Sequence, residues 1–249
     1  MLFRSGQATA RNTGLKAAKG DFIVFTDDDV RPRENWLEHI SEPMRKGIAD
    51  AVGGPILMPD HLKRSWMSLV HSDWLACRSA DVKYEDVDLV GANMAFSRDV
   101  LKKVPYFDSE LGPGALGYAD DTLFSRQLRI SGFRIVTQKG AYVDHYFNID
   151  RLTYQSWIGV ANKASRSFAY LQHHWNHQVF SLRDCYRAIR SQWKLSCPKA
   201  VSREYSTIGG IPEWELWERM TLLNVRYLLR LLRTPRQYER HGLVKRVRG

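Results

Sequence analysis

Cysteine is scarce in this chain of 249 residues, which contains only Cys77, Cys185 and Cys197. The three cysteines are widely spaced and odd in number, and none of them belongs to a CxxC pair. A disulfide framework needs an even set of cysteines and structural zinc sites typically contain CxxC pairs, so the sequence argues against both. The scarcity favours a reducing compartment, and we expect a cytoplasmic protein.

Long apolar runs are missing as well. No stretch reaches the roughly 18 consecutive apolar residues that a membrane-spanning helix needs. The first residues contain no apolar segment of the kind found in a secretory signal peptide. Any contact with the cytoplasmic face of a membrane is therefore expected to be peripheral.

Acidic residues are outnumbered, with 27 Asp and Glu against 37 Lys and Arg, and the net charge is +10. Such an excess indicates an anionic partner, which could be a nucleic acid, a membrane surface or a phosphorylated substrate. No nucleic-acid-binding motif accompanies the charge, so a nucleic acid is the least favoured of the three. The basic residues concentrate late in the chain, at Arg226, Arg230, Arg233, Arg236, Arg240, Lys245, Arg246 and Arg248.

Residues 213–233 read as an amphipathic helix. Its apolar face contains Trp214, Trp217, Met220, Leu223, Tyr227, Leu228 and Leu231. An apolar face with tryptophan, opposite a face with arginines, suits a helix lying in the plane of an anionic membrane. Packing of the same face against the rest of the protein is the alternative, and the sequence leaves both open.

The hydrophobic patterning predicts an α/β protein, and the length allows a sizeable core. Helices are expected at 5–19, 34–46, 61–78, 98–103 and 120–131, strands at 21–26, 49–57, 89–96, 133–138 and 141–145, and a polar loop at 79–88. The pattern from residue 152 onward is mainly helical. We therefore expect a catalytic domain over 1–150 and a helical, basic extension over 151–249.

Three consecutive carboxylates, Asp27, Asp28 and Asp29, follow the apolar run Phe22–Thr26. The run reads as a buried strand, and ligand sites of open α/β sheets lie at the carboxyl ends of strands. Such a cluster of like charge favours a bound divalent cation, Mn²⁺ or Mg²⁺, which prefers oxygen ligands. A solvated acidic turn is the alternative.

The residues around this triplet form a longer pattern. The segment from Ala10 to Asp21, followed by Asp27-Asp28-Asp29 and Pro32, resembles the ARNxGxxxAxGD…DDDxxP signature of the family 2 inverting glycosyltransferases. Gly91–Phe96 with Arg98 is similar to the GANMAxxR segment of that family. Asp120–Phe124 with the residues up to Ile135 is similar to its EDxxL…RLxxxGxxI segment, although Asp120 replaces the usual glutamate and Gln127 the usual arginine.

The resemblance implies the GT-A fold, a Rossmann-like fold of nucleotide-diphospho-sugar transferases. It also implies metal-assisted transfer of a sugar, with inversion, to a saccharide, lipid-linked or polymeric acceptor. Asp121 aligns with the catalytic base, and Asp120 beside it is expected to raise the pKa of Asp121 by repulsion. Capping of the following helix is the alternative for both.

The remaining matched residues are expected to contact the nucleotide-sugar donor or a metal. Asp27 and Asp29 suit the metal and the diphosphate, and Asp28 suits hydroxyl groups. Arg11 could bind a phosphate or the base, or form a salt bridge on a helix surface. The donor-contacting set is Arg11, Asn12, Asp27, Asp28, Gly91, Ala92 and Asn93, with core packing as the alternative for the last three.

Histidines offer two further candidates. His145 follows a short strand where some relatives place a metal-binding histidine, and a neutral imidazole can complete a Mn²⁺ shell. A histidine without function is the alternative there. His173 and His177 would share a helix face with the spacing of a metal-binding pair, but no acidic or cysteine ligand is near in the sequence, so we expect no metal there.

Members of the family begin with a strand–helix–strand–helix unit that holds the nucleoside, and the sequence contains no counterpart of it. The GT-A fold is therefore expected to be incomplete at its amino terminus, and this chain alone is expected to bind a nucleotide sugar poorly. A non-catalytic fragment or pseudoenzyme remains an alternative function. A basic nucleic-acid-binding protein is a weaker one.

Overall fold

A computed structural model describes residues 6–79, 88–196 and 209–246. The helices of these residues are α1 (Gln7–Ala17), α2 (Trp36–Arg45), α3 (Leu69–Trp74), α4 (Asp120–Ile130), α5 (Tyr154–Tyr170), α6 (Leu182–Ser196) and α7 (Glu213–Leu231). The strands are β1 (Phe22–Thr26), β2 (Val30–Pro32), β3 (Ala51–Gly53), β4 (Ile56–Leu57), β5 (Asn93–Ser97), β6 (Ile135–Thr137) and β7 (Val143–His145). The expected α/β architecture, with a helical carboxyl-terminal region, is confirmed.

The strands form two small sheets. The four-stranded sheet has the order β1-β5-β3-β6, and the three-stranded sheet has the order β2-β7-β4. β5 is antiparallel to both β1 and β3, and its first residue, Asn93, pairs with the last residue of β1, Thr26. This register places the acidic triplet and the Gly91–Asn93 segment at the same edge of the sheet.

β1 lies at the margin of its sheet. Within the described residues, no other strand pairs with its outer edge. Its five residues Phe-Ile-Val-Phe-Thr contain no charge and no proline, and only Ile23 is fully buried. A strand therefore forms where the sequence pattern predicts one. Only Ile23 is buried as expected, and the side chains of the other four residues are accessible to solvent.

The two faces of the four-stranded sheet carry separate apolar cores, because successive residues of a strand point to opposite faces. Met94 and Phe96 of β5 pack with Leu15 of α1 and Phe124 of α4. Ala95 packs on the other face with Ile40 of α2. The sheet is thus covered by helices on both faces. The end of the sheet where β1 stops and β5 begins remains accessible to ligands.

The segment expected to be one helix over 61–78 is mostly not helical. A 3₁₀ turn covers Asp60–Leu62, and an α-helix forms only at Leu69–Trp74. Ser68 begins this short helix by a capping box with His71, and Ala76, at φ 58°, follows its end. The expected loop at 79–88 lies mainly outside the described residues, and the segment 98–103 forms a 3₁₀ helix at Arg98–Lys102.

The apolar face of α7 packs against the protein. Leu216, Met220 and Leu228 are at most 7% exposed, and the first two contact Trp157 and its neighbours on α5. Packing therefore covers Met220 and Leu228 of the expected apolar face, while Trp214 and Trp217 of the same face remain 40% and 45% exposed. No helix within 6–79, 88–196 and 209–246 is long and apolar enough to cross a bilayer.

The last described segment returns to the α/β part of the chain. Gln127 of α4, which departs from the family pattern, donates to the carbonyl oxygens of Gly242 and Leu243 at 3.0 and 3.1 Å. Lys245 pairs with the buried Asp108 at 2.6 Å. Part of the late positive charge is therefore neutralised within the protein.

Candidate active site

A cavity of about 940 Å³ opens at the edge of the sheet where β1 ends and β5 begins. Eight of the sequence-predicted site residues line it: Arg11, Asp27, Asp29, Gly91, Ala92, Asp120, Asp121 and His145. They come from five separate segments of the chain. The register of β1 and β5 and the position of α4 bring them together.

A buried ion pair forms the floor of this cavity. Nη1 of Arg11 lies 2.5 Å from Oδ2 of Asp120, and the two residues are only 6% and 3% exposed. Asp27 lies 3.8 Å from the same guanidinium group, which also sits 5.6 Å from the ring centroid of Phe107. Arg11 is therefore held inside the site by a carboxylate 109 residues away, and not on a helix surface.

Two glycines make room for this ion pair. A Cβ atom on Gly91 would lie 1.8 Å from Nη2 of Arg11. A Cβ atom on Gly112, which has φ +80°, would lie 2.7 Å from Cγ of Asp120. Any larger residue at either position would displace the arginine or its carboxylate partner.

Asp120 and Asp121 begin α4, directly after a strained residue. Ala119 has φ 73° and ψ 14°, in the left-handed region that a residue with a Cβ rarely adopts. Oδ2 of Asp121 accepts a hydrogen bond from the backbone N–H of Gly91 at 3.0 Å, and Oδ1 accepts one from Thr122 at 2.8 Å. The pair thus benefits from the helix amino terminus and faces the cavity at the same time.

The carboxyl group with a raised pKa in this pair is Asp120. Burial raises its pKa to about 6 from the ordinary 3.8, the charge of Asp121 adds to the rise, and Arg11 opposes it. The sequence-based expectation assigned the raised pKa to Asp121. Burial of Asp120 is not visible in a local pattern, because it depends on the packing of Arg11 and Gly112.

Asp120 makes stability depend on pH. Since its folded-state pKa, about 6, exceeds the unfolded value of 3.8, the folded state retains a proton that the unfolded chain loses between these values. We expect the free energy of unfolding to fall by up to about 3 kcal/mol as the pH rises from 4 to 6, and to level off above. Urea unfolding of the wild type and of Asp120→Asn across this interval measures it. An equally steep slope in the variant would assign the dependence to other groups.

Asp29 and His145 form the second polar pair. Oδ2 of Asp29 lies 3.3 Å from Nε2 of His145, because Val30 pairs with His145 between β2 and β7. Burial lowers the pKa of His145 despite the nearby Asp29, so its imidazole is neutral at physiological pH. Burial raises the pKa of the neighbouring Cys77 to about 12, so its thiol is protonated at physiological pH.

Asp27 lies close to this pair. Burial is the main cause that raises its pKa, and Asp29 adds to the rise, while Arg11 and His145 lower it. Its Oδ1 accepts a hydrogen bond from Gln7 at 3.0 Å. Across the described part of the chain, no three acidic, histidine or cysteine residues converge tightly enough to form a metal-binding group on their own.

Three predicted donor contacts lie elsewhere. The amide of Asn12 exchanges hydrogen bonds with the backbone of Phe107, at 2.8 Å in both directions. Asn93 is buried and donates to the carbonyl oxygens of Pro55 and Ala141, which supports core packing for this residue. Asp28 is exposed and does not line the cavity. Their roles in donor binding stay predictions.

His173, His174 and His177 each contact a backbone atom of the segment that follows α7. Nε2 of His173 lies 3.0 Å from the carbonyl oxygen of Thr234, and Nε2 of His177 lies 2.9 Å from that of Tyr238. Nδ1 of His174 accepts from the backbone of Gln237 at 3.3 Å. These histidines thus fix the segment that follows α7.

Several residues that line the cavity were not expected from the sequence. Arg126, Arg151 and Lys163 add positive charge to its lining, and Trp74 and Trp217 add aromatic surface. Lys163 and Trp217 come from the helical carboxyl-terminal region, so that region contributes to the site. No motif marks these residues, and the overall excess of positive charge was the only signal for the cations.

Comparison with known proteins identifies a family for the first part of the chain. Residues 3–105 match the family model described as "Glycosyl transferase family 2". A curated pre-mycofactocin glycosyltransferase of Mycobacterium tuberculosis is 57% identical over 35 residues, which cover 14% of this chain and 7% of that protein. A glucosyl-dolichyl phosphate glucuronosyltransferase of Haloferax volcanii is 25% identical over 175 residues, which cover 64% of this chain and 55% of that protein.

Among solved structures, a mannosyltransferase from Pyrobaculum calidifontis in complex with GDP-Man and Mn²⁺ is similar, with a TM-score of 0.44 and 15% identity. The similarity covers 92% of this chain and 55% of that one. The chain thus spans about half the length of the glucuronosyltransferase and of the mannosyltransferase, 55% in each case.

Proposed function

Residues 3–105 belong to glycosyl transferase family 2, and from this premise we propose that the protein transfers a sugar from a nucleotide-diphosphate sugar to a saccharide, lipid-linked or polymeric acceptor. The transfer proceeds with inversion, as in the biosynthesis of cell-surface polysaccharides or glycans. One observation carries the proposal. Asp121, the Arg11–Asp120 ion pair and the Asp29–His145 pair line the same cavity at the edge of the sheet.

Asp121 acts as the general base. Its carboxylate faces the cavity and is held by the backbone N–H groups of Gly91 and Thr122. These two hydrogen bonds fix its orientation and leave further lone pairs on each oxygen for a proton from the acceptor hydroxyl. The oxygen of that hydroxyl then attacks the anomeric carbon of the sugar, and the nucleoside diphosphate leaves from the opposite side.

Arg11 and Asp120 position this base. Asp120 precedes Asp121 in the first turn of α4, and its buried pairing with Arg11 ties that turn to α1. Ala119 keeps its left-handed backbone because the Arg11–Asp120 pair holds the residue that follows it. The site therefore presents Asp121 from a fixed helix terminus, which favours a reproducible distance to the acceptor.

A divalent metal fits the donor set at the other side of the cavity. Asp29 offers carboxylate oxygens and His145 a neutral imidazole, and Asp27 lies near enough to share their electrostatic field. Mn²⁺ accepts both ligand types, and Mg²⁺ accepts the oxygens. When bound, such an ion neutralises charge on the departing diphosphate. Asp29 and His145 would be its two protein ligands, and oxygens of the donor and water would supply the others.

The cations that line the cavity support an anionic donor. Arg151 and Lys163 carry positive charge that favours a diphosphate group over a neutral sugar. Pro113, Gly114 and Ala115 border the same cavity, and this loop could close over the bound donor as a lid.

A non-catalytic fragment of the same fold is the second candidate. The open outer edge of β1 favours it, since no strand of the described residues covers that edge. Under this alternative the cavity residues would fold as described, but donor would not bind.

Removal of one metal ligand tests the proposal. In the natural polypeptide that carries these 249 residues, Asp29→Asn should weaken Mn²⁺-dependent donor binding by at least the roughly 10-fold that even an outer-shell change costs. Isothermal titration with a panel of UDP- and GDP-sugars, with Mn²⁺ or with EDTA, measures it. Asp99→Asn, an exposed residue paired with Lys102, is the matched control and should bind donor normally.

Two outcomes would count against the proposal. Donor affinity that is indifferent to both EDTA and Asp29→Asn would remove the metal from it. Failure of every donor to bind to the wild type, with or without Mn²⁺, would favour the non-catalytic alternative.

A further inference from the structure

α6 carries an exposed stripe of large apolar side chains. Leu182, Tyr186, Ile189 and Trp193 are 88%, 67%, 69% and 71% exposed. They are spaced by four, three and four residues, so they share one face of the helix. Single exposed apolar residues are common on protein surfaces, but a contiguous row along a whole helix marks an interaction surface.

The inward face of α6 is polar, which explains why the apolar face points outward. Asp184 and Ser191 are buried, at 8% and 1% exposure. Oγ of Ser191 donates to Glu218 of α7 at 2.7 Å, and Asp184 accepts from the backbone and hydroxyl of Ser181. The Ser191–Glu218 contact fixes the rotation of α6 relative to α7, so the apolar stripe cannot turn inward without breaking it.

A basic stripe runs beside the apolar one. Arg183, Arg187, Arg190 and Lys194 repeat the same spacing one residue later. Arg190 and Lys194 pair with Glu218 but keep 53% and 38% of their side-chain surface exposed. The sole acidic residue of α6, Asp184, is buried, so the outer surface of this helix carries only positive charge.

The opposite flank is also basic. Arg226 of α7 is exposed and donates to Oε1 of Gln192 at 3.1 Å. Pairing of the stripe with a second copy would place cations near cations in either relative orientation of the two helices. The charge on both flanks therefore fits a negatively charged, apolar partner better than self-association.

We propose that α6 lies in the plane of an anionic lipid bilayer, with its apolar stripe inserted below the headgroups. Leu182 and Ile189 provide apolar area, while Tyr186 and Trp193 suit the boundary between headgroups and acyl chains. Arg183, Arg187 and Arg226 contact lipid phosphates from the two sides. The surface is independent of the proposed transfer reaction, and it replaces α7 as the membrane-facing helix.

Vesicle binding tests the charge requirement. The full chain should co-sediment with vesicles of phosphatidylcholine mixed with phosphatidylglycerol, and less with phosphatidylcholine alone. Arg183→Gln with Arg187→Gln should lower the partition coefficient about 30-fold, since each basic residue near the surface contributes about a factor of five. Binding should also weaken in 1 M salt, where the Debye length is about 3 Å.

Matched substitutions test the apolar stripe. Leu182→Asn with Ile189→Asn should lower the partition coefficient by at least about tenfold, because inserted apolar area is lost. Leu69→Asn and Ile130→Asn, at residues 68% and 53% exposed on other helices, should bind as the wild type does. All four positions are exposed, so thermal unfolding should show unchanged stability.

Trp193 reports the depth of insertion. Brominated lipids should quench part of the fluorescence of the wild type, and Trp193→Phe, compared at a lipid concentration that binds all of the protein, should lose that part. Equal binding to neutral and anionic vesicles, or equal losses in the stripe and control variants, would overturn the proposal. So would a dimer in lipid-free solution that Leu182→Asn with Ile189→Asn dissociates, because a second copy would then cover the stripe.

Discussion

Replacement of Asp121 by asparagine is expected to lower turnover roughly 100- to 10,000-fold, the usual effect of losing a positioned general base. The amide cannot accept the acceptor proton as a carboxylate does, but it has nearly the same shape. Its oxygen can still accept the hydrogen bond from Gly91, so the turn before α4 should keep its conformation. Donor affinity and thermal stability should therefore remain close to the wild-type values.

Release of nucleoside diphosphate by the natural polypeptide measures this effect, with kcat and KM determined separately. A fall confined to kcat indicates loss of an interaction made in the transition state. Asp99→Asn serves again as the exposed control. An active Asp121→Asn enzyme together with an inactive Asp120→Asn enzyme would show that Asp120, and not Asp121, is the base.

Replacement of Arg11 by methionine is expected to lower the free energy of unfolding by about 3–5 kcal/mol at pH 7. The change leaves the carboxylate of Asp120, only 3% exposed, without its cation. Methionine fills much of the space of the arginine stem, so the loss arises mainly from the unpaired charge. Urea unfolding of the two proteins measures the difference.

A double substitution distinguishes the charge from the packing. Arg11→Met together with Asp120→Asn removes both charges and should recover a large part of the lost stability, because no ion then remains buried alone. The single Arg11→Met variant should also lose less stability at pH 5 than at pH 7, since the Asp120 carboxyl group is protonated at the lower pH. Additive losses in the double variant would show that the ion pair is not the cause.

Features encoded within short segments were predictable from the sequence. The apolar run ending in Asp27-Asp28-Asp29 gave β1, and the matched motifs gave the residues that line the cavity. The pattern 61–78 was misread because helix formation there depends on tertiary contacts. Trp66 packs against Trp157, and Ser68 starts the short helix instead. No local pattern contains these contacts.

Long-range pairings were equally invisible. Arg11 could be assigned to a phosphate or a surface salt bridge from its motif, but its burial against Asp120 depends on how α1 meets α4. A helix at residues 213–233 was predicted correctly, yet periodicity could not show that Trp214 and Trp217 of the expected apolar face stay exposed, nor which partner covers the buried part. α5 covers the face of α7, and α6, whose outward face is apolar, was not singled out.

The position of β5 between β1 and β3 has a consequence for biosynthesis. β1 pairs only with β5 among the described strands, and β5 follows it by roughly 70 residues. At a synthesis rate of about 5–20 residues per second, β1 leaves the ribosome several seconds before its partner strand. During that interval an uncharged, aromatic pentapeptide lacks the strand that pairs with it in the folded protein. Chaperone binding to the nascent chain is best placed in this window, before residue 97 has emerged.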